Sequence, residues 1–141
     1  MAIDRRFLGY ALPQLTVTAS RERVDRFAHA IGLDGESNEV APPTFMKALE
    51  GEDNSSRRIL EGMGVELSRV LHVEQQFDYV APIRVGDVLR VERTVTDIYG
   101  KRNGAMEFIV IESALSRDDG TPVGRSRQVI LVRNPPSPER T

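Results

Sequence analysis

Apolar and polar positions change period near His72, and that change separates a largely helical first half from a stranded second half. Upstream, Leu15, Val17 and Ala19 alternate with polar neighbours, which predicts a short strand. Val24, Phe27, Ala28 and Ile31 then recur at i, i+3, i+4 and i+7, one face of an amphipathic helix. Ser20 stands where a hydroxyl can cap the first turn, and Gly32 where a left-handed residue can end the last. Residues 33–40 are polar and turn-prone, so they predict a surface loop. Pro43 suits a first helical turn, where its missing amide proton costs nothing. Thr44, Phe45, Met46, Ala48 and Leu49 follow as an apolar turn or two, and the run "EGEDNSS" breaks the pattern before "RRILEGMGVEL" resumes it.

From His72 the spacing predicts strands. Val73, Phe77 and Tyr79 fall on one face of the first, with His72, Glu74, Gln76 and Asp78 on the other. Pro82 and Gly86 punctuate a turn, "VLRVERTVTDIY" reads as a long strand, and Asn103-Gly104 marks a hairpin return. Phe108, Ile109, Val110 and Ile111 are apolar on both faces, as a central strand requires. "RDDGTP" turns the chain into a last strand, "VGRSRQVILV". A helix must bury its stripe and an antiparallel sheet must cover one face. The economical arrangement is an α+β fold, one curved antiparallel sheet wrapped around one central helix. Residues 1–132 form that single domain, and 133–141, with three prolines, form a flexible tail.

Composition narrows the chemistry. The chain has 141 residues, 19 Lys and Arg against 21 Asp and Glu, and a formal net charge of −2. That balance argues against nucleic acid. No apolar run approaches the ~20 residues that cross a bilayer, and "MAIDRRFLGY" lacks the apolar core of a signal peptide. The expected location is cytoplasmic, with no membrane partner. With no cysteine, thiol nucleophiles and thiolate metal sites are excluded. Two histidines, His29 and His72, are too few for most zinc or non-haem iron sites. Neither GxxxxGK[ST] nor GxGxxG occurs, so the expectation is no metal and no cofactor.

Three stretches occur in order across residues 5–132: "RVDRFAHAIG", "APPTF" and "LHVEQQFDYVAPIRVGDVL". Together they resemble the N-terminal MaoC-type dehydratase domain, a branch of the hot-dog superfamily. The family's Pro-x-x-x-Gly-Asp turn is supplied by Pro82, Gly86 and Asp87. The resemblance implies a hot-dog fold and an acyl thioester, carried by CoA or ACP, as the bound partner. Relatives of this kind are (R)-specific enoyl hydratases and 3-hydroxyacyl dehydratases. In their catalytic branch an Asp and a His after the first helix add water across a double bond. One group must activate water and another must shuttle a proton. The thioester carbonyl also needs a donor, usually an amide at a helix N-terminus.

The chain departs from that pattern, roughly Gly-Asp-x-Asn-Pro-x-His. It reads Gly32-Leu33-Asp34-Gly35-Glu36-Ser37-Asn38, with no histidine until His72. Asp34 is displaced by one position, and nothing replaces the His. The resemblance then implies a non-catalytic, substrate-binding subunit that pairs with a catalytic MaoC-type subunit. A stand-alone acyl-thioester binding homodimer is the alternative. A hot-dog thioesterase using Glu50 or Glu52 ranks behind both, because those residues read as solvated. Thr44 and Phe45 are substrate-binding candidates through free amides at the helix start, with a plain core role for Phe45 as the competing reading. His72 is a candidate pocket wall, or else a structural histidine, and Asp34 a candidate substrate contact. Asp87 reads as a turn residue, while His29, Arg125 and Arg127 read as surface residues.

Overall fold

The apolar run Phe108 to Ile111 lies where its two-sided character places it, in the middle of the sheet. The computed structural model describes residues 3–33 and 39–135. Short β1 (Leu15–Thr18) and four long strands, β2 (Val70–Tyr79), β3 (Val88–Lys101), β4 (Met106–Arg117) and β5 (Pro122–Arg133), make one antiparallel sheet. Their order is β1-β3-β4-β5-β2, so β4 is central and β2 is an edge. The β3–β4 hairpin turns through Arg102, Asn103 and Gly104, all at positive φ, the conformation that asparagine and glycine tolerate best.

α1 (Arg21–Ala30) begins as expected. The Ser20 hydroxyl accepts the Arg23 amide at 3.2 Å, and Gly32 closes the helix at φ +90°. Val24 and Ala28 are buried, but Ile31 lies beyond the last turn and is about half exposed. The helical segment inside the sheet is two short pieces, α2 (Phe45–Glu50) and α3 (Ser55–Gly62). A 3-10 turn, Glu52–Asn54, joins them, and Asn54 is left-handed at φ 53°. The break in the sequence pattern is thus a real bend, and no single continuous helix fills the sheet.

Each piece has its own core. Phe45, Met46 and Leu49 of α2 pack with Val17, Val24, Ile83, Leu89, Leu115 and Val123. Ile59, Leu60 and Met63 of α3 pack with Val95, Ile98, Ile109, Ile111 and Ile130. Edge strand β2 departs from its expected pattern. Its pairing with β5 slips between His72 and Glu74, which leaves Val73 as an extra residue. One extra residue reverses the side-chain alternation. Val73 therefore leaves the face of Phe77 and Tyr79, and His72 lies in register with Ile130, not on the face of Glu74. No helix among the described residues is long and apolar enough to cross a membrane.

Candidate functional site

The double proline before α2 packs against the end of β2. Ala41 donates its amide to the Ile83 carbonyl at 2.8 Å, and the Pro42 carbonyl accepts the Phe45 amide at 2.9 Å. The Tyr79 hydroxyl donates to the Pro43 carbonyl at 2.5 Å and accepts the Met46 amide. Burial pushes the Tyr79 phenol up to about 12; the Met46 amide opposes this and the charge on Glu50 adds to it. Beside this buttress lies an apolar cavity of about 400 Å³, lined by Val40, Ala41, Pro43, Tyr79, Val80 and Ile83 among others. Val80, 73% exposed, stands at its mouth. The turn below is fixed by Asp87, whose carboxylate accepts the Arg84 amide at 2.9 Å and the Arg117 Nε at 3.2 Å.

A second polar feature lies between the two apolar cores. Arg93 occupies an inward position of β3 between Val91 and Val95 and is 3% exposed. Its Nε donates to Ser113 Oγ at 3.0 Å, Nη1 to Ser55 at 2.9 Å and to Ser56 at 2.6 Å, and Nη2 to Gln128 Oε1 at 2.5 Å. Glu50, the last residue of α2, is 0% exposed and lies 3.8 Å from Nη2, beyond hydrogen-bond reach. Neither of its carboxylate oxygens has a hydrogen-bond partner. Burial lowers the Arg93 pKa and Glu50 raises it; burial likewise lowers that of Lys47, with Arg93 assisting and Glu50 opposing.

The structure brings some predicted residues together and separates others. Thr44 is exposed beside the Pro43–Tyr79 buttress, and its side chain makes no capping bond. Phe45 is a core residue, edge-on to Phe27 with ring centroids 5.4 Å apart. The free amide expected at Phe45 is not free, because the tight proline turn consumes it. His72 is exposed, seven residues from Tyr79 and so about 23 Å along the strand, and its Nε2 lies 3.0 Å from the Glu74 carbonyl. It does not wall the cavity at Pro43. Asp34 lies outside the described residues. Glu50, expected to be solvated, is fully buried because the helix bends immediately after it, whereas Glu52 is partly exposed and pairs with Arg23 at 2.6 Å. Arg127 pairs with Glu74 across the β2–β5 edge.

Tyr79 and the Glu50–Arg93 pair were missed by the sequence reading. A signal for the pair was present, since a charged residue interrupts the apolar face Leu89, Val91, Val95.

Residues 6–125 match the family described as "FAS1-like, dehydratase domain region". The chain belongs to that family. The UPF0336 protein of Thermobifida fusca (strain YX) is 31% identical over 148 residues, covering 94% of this chain and 95% of the relative. Among solved structures, a MaoC-like dehydratase superposes with a TM-score of 0.74 at 24% identity, over 94% of this chain and 44% of that one. The C-terminally truncated HadBC (3R-hydroxyacyl-ACP dehydratase) complex from Mycobacterium tuberculosis superposes with a TM-score of 0.70 at 20% identity. It covers 89% of this chain and 96% of that one. These likenesses establish the hot-dog fold.

Proposed function

We propose that this chain is the substrate-holding, non-catalytic half of a hot-dog hydratase/dehydratase pair that acts on an acyl thioester of CoA or ACP. The observation that carries the reading is the chemistry of the cavity at Pro43 and Tyr79. Its described lining is apolar apart from one phenol, and that phenol is engaged with the Pro43 carbonyl and raised to about 12. Addition of water to an enoyl thioester needs an acid and a base that exchange protons near neutral pH. The described walls supply a place for an acyl chain and no such pair.

The edge strand supports a partner. β2 bonds β5 on one side only, and Leu71 and Val73 along it are 50% and 49% exposed. An open strand edge with apolar side chains favours pairing with another chain. A MaoC-type subunit carrying both the Asp and the His would supply the missing proton transfers. The HadBC complex, a fold neighbour, is a precedent for two hot-dog chains together. The thioesterase reading loses ground, since Glu50 lies at the far end of α2 and does not line this cavity.

The test is hydration of crotonyl-CoA by the chain alone, by such a catalytic subunit alone, and by their mixture. The expected result is activity that appears, or rises at least tenfold, only in the mixture. Hydration by the chain alone would overturn the non-catalytic assignment.

A further inference from the structure

The Glu50 carboxylate presents a separate problem, because an ionised group out of water needs hydrogen bonds as well as a countercharge. Arg93 supplies the countercharge but not the bonds. Of the five N–H groups of a guanidinium, four are used on Ser113, Ser55, Ser56 and Gln128. The fifth is on Nη2, 3.8 Å from Oε2. Both carboxylate oxygens are left as buried acceptors without donors.

They are not without space. Glu50, Ser55 and Arg93 line a cavity of about 220 Å³, with Leu15 and Val91 as apolar walls. Exposed Pro13, Gln14 and Arg58 border its outer side. The cavity has room for several waters, or for a small organic molecule. It shares none of its described lining with the cavity at Pro43 and Tyr79.

We propose that this cavity is a binding site for a small uncharged ligand bearing two adjacent hydrogen-bond donors, such as a vicinal diol, which Glu50 holds through both carboxylate oxygens. The charge of the surroundings selects the class. Arg93 lines the site and Lys47 lies near enough to act on both Arg93 and Glu50, against Glu50 itself and a Glu52 already paired with Arg23. A cationic ligand would add to a local excess of positive charge, and an anion would face the unpartnered carboxylate. A neutral double donor satisfies Glu50 at no Coulombic cost, and a short hydrocarbon body suits Leu15 and Val91. The proposal is independent of whether the chain works with a catalytic partner.

The test uses the full chain and three probes of similar size: 1,2-propanediol, propionate and propylammonium. Amide resonances of Leu15, Glu50, Ser55 and Val91 are followed by two-dimensional NMR during titration. The expected result is saturable shifts at these positions with the diol, with propionate and propylammonium at least tenfold weaker. Glu50→Leu should weaken the diol by at least tenfold, as the loss of charge-assisted hydrogen bonds implies. Glu50→Gln, which keeps shape and one acceptor, should fall between, so the result does not depend on Glu50→Leu folding. Absence of saturation, equal response to all three probes, or undiminished diol binding in Glu50→Gln would overturn the assignment.

Discussion

Arg93→Met is the substitution to which the fold should be most sensitive. Methionine keeps a flexible apolar stem but removes the cation and every N–H. Glu50, 0% exposed and already without hydrogen bonds, would lose the cation 3.8 Å away. Breaking a buried pair from one side costs about 3–5 kcal/mol, because the remaining charge is stranded. Loss of the donor to Gln128 Oε1 and to three serine hydroxyls pushes the figure toward the upper end, although hydroxyls can re-pair among themselves. Against a total stability of about 5–15 kcal/mol, that is a large fraction, equivalent to roughly 10–20 °C in melting temperature. Glu50→Leu should cost less, since Arg93 keeps its four bonds to neutral acceptors. The double variant Glu50→Leu/Arg93→Met removes both charges, and should recover at least about 2 kcal/mol relative to Arg93→Met. The chain has no tryptophan, so urea unfolding followed by far-UV circular dichroism is the appropriate assay. A cost under about 1 kcal/mol for Arg93→Met, or a double variant as unstable as the sum of the singles, would refute the reasoning.

Two further outcomes follow from the other end of α2 and from the sheet edge. The Tyr79 phenol is raised from 10.0 to about 12, so the folded state keeps a proton that the unfolded state releases. Its contribution is complete below pH 10 and is lost as pH rises through about 12. Tyr79→Phe should therefore lower the urea midpoint at neutral pH, and flatten the decline between pH 10 and 12 relative to wild type. On the proposed pairing with a catalytic subunit through β2, replacing Leu71 and Val73 by lysine should abolish the complex, read as loss of the mixed-pair mass in sedimentation. Stability should change by less than about 0.5 kcal/mol, because both side chains are half exposed.

The architecture was legible because most of its elements announce themselves locally. The serine cap of α1, the glycine after it, the Asn-Gly hairpin and the two-faced apolar run of β4 each have a short-range cause. The site was less legible for three physical reasons. An extra residue at Val73 reversed the alternation of β2, and no local pattern marks which residue will bulge. The Phe45 amide looked free because a proline precedes a helix start, yet the Pro42 carbonyl turns back to accept it. Glu50 looked solvated because its neighbours in sequence are polar, whereas its neighbours in space come from α3, β3 and the segment before β1.

The two polar features act on the same short helix. Six residues are too few for a helix to persist on its own in water, so the place of α2 must come from what holds it. Tyr79 grips the first turn through the Pro43 carbonyl and the Met46 amide. At the last turn the Ser55 hydroxyl donates to the Glu50 carbonyl and accepts from Arg93, so the end of α2 is tied to β3. Between them Phe45, Met46 and Leu49 are locked in the core. Gly124 marks how close this packing is, since a methyl there would come within 2.5 Å of the Asp78 carbonyl oxygen and 3.1 Å of Met46 Cε. The position of the apolar cavity relative to Thr44 is therefore set jointly by both ends of α2. A substitution at Arg93 that leaves the chain folded should still weaken whatever binds beside Pro43, although Arg93 does not line that cavity.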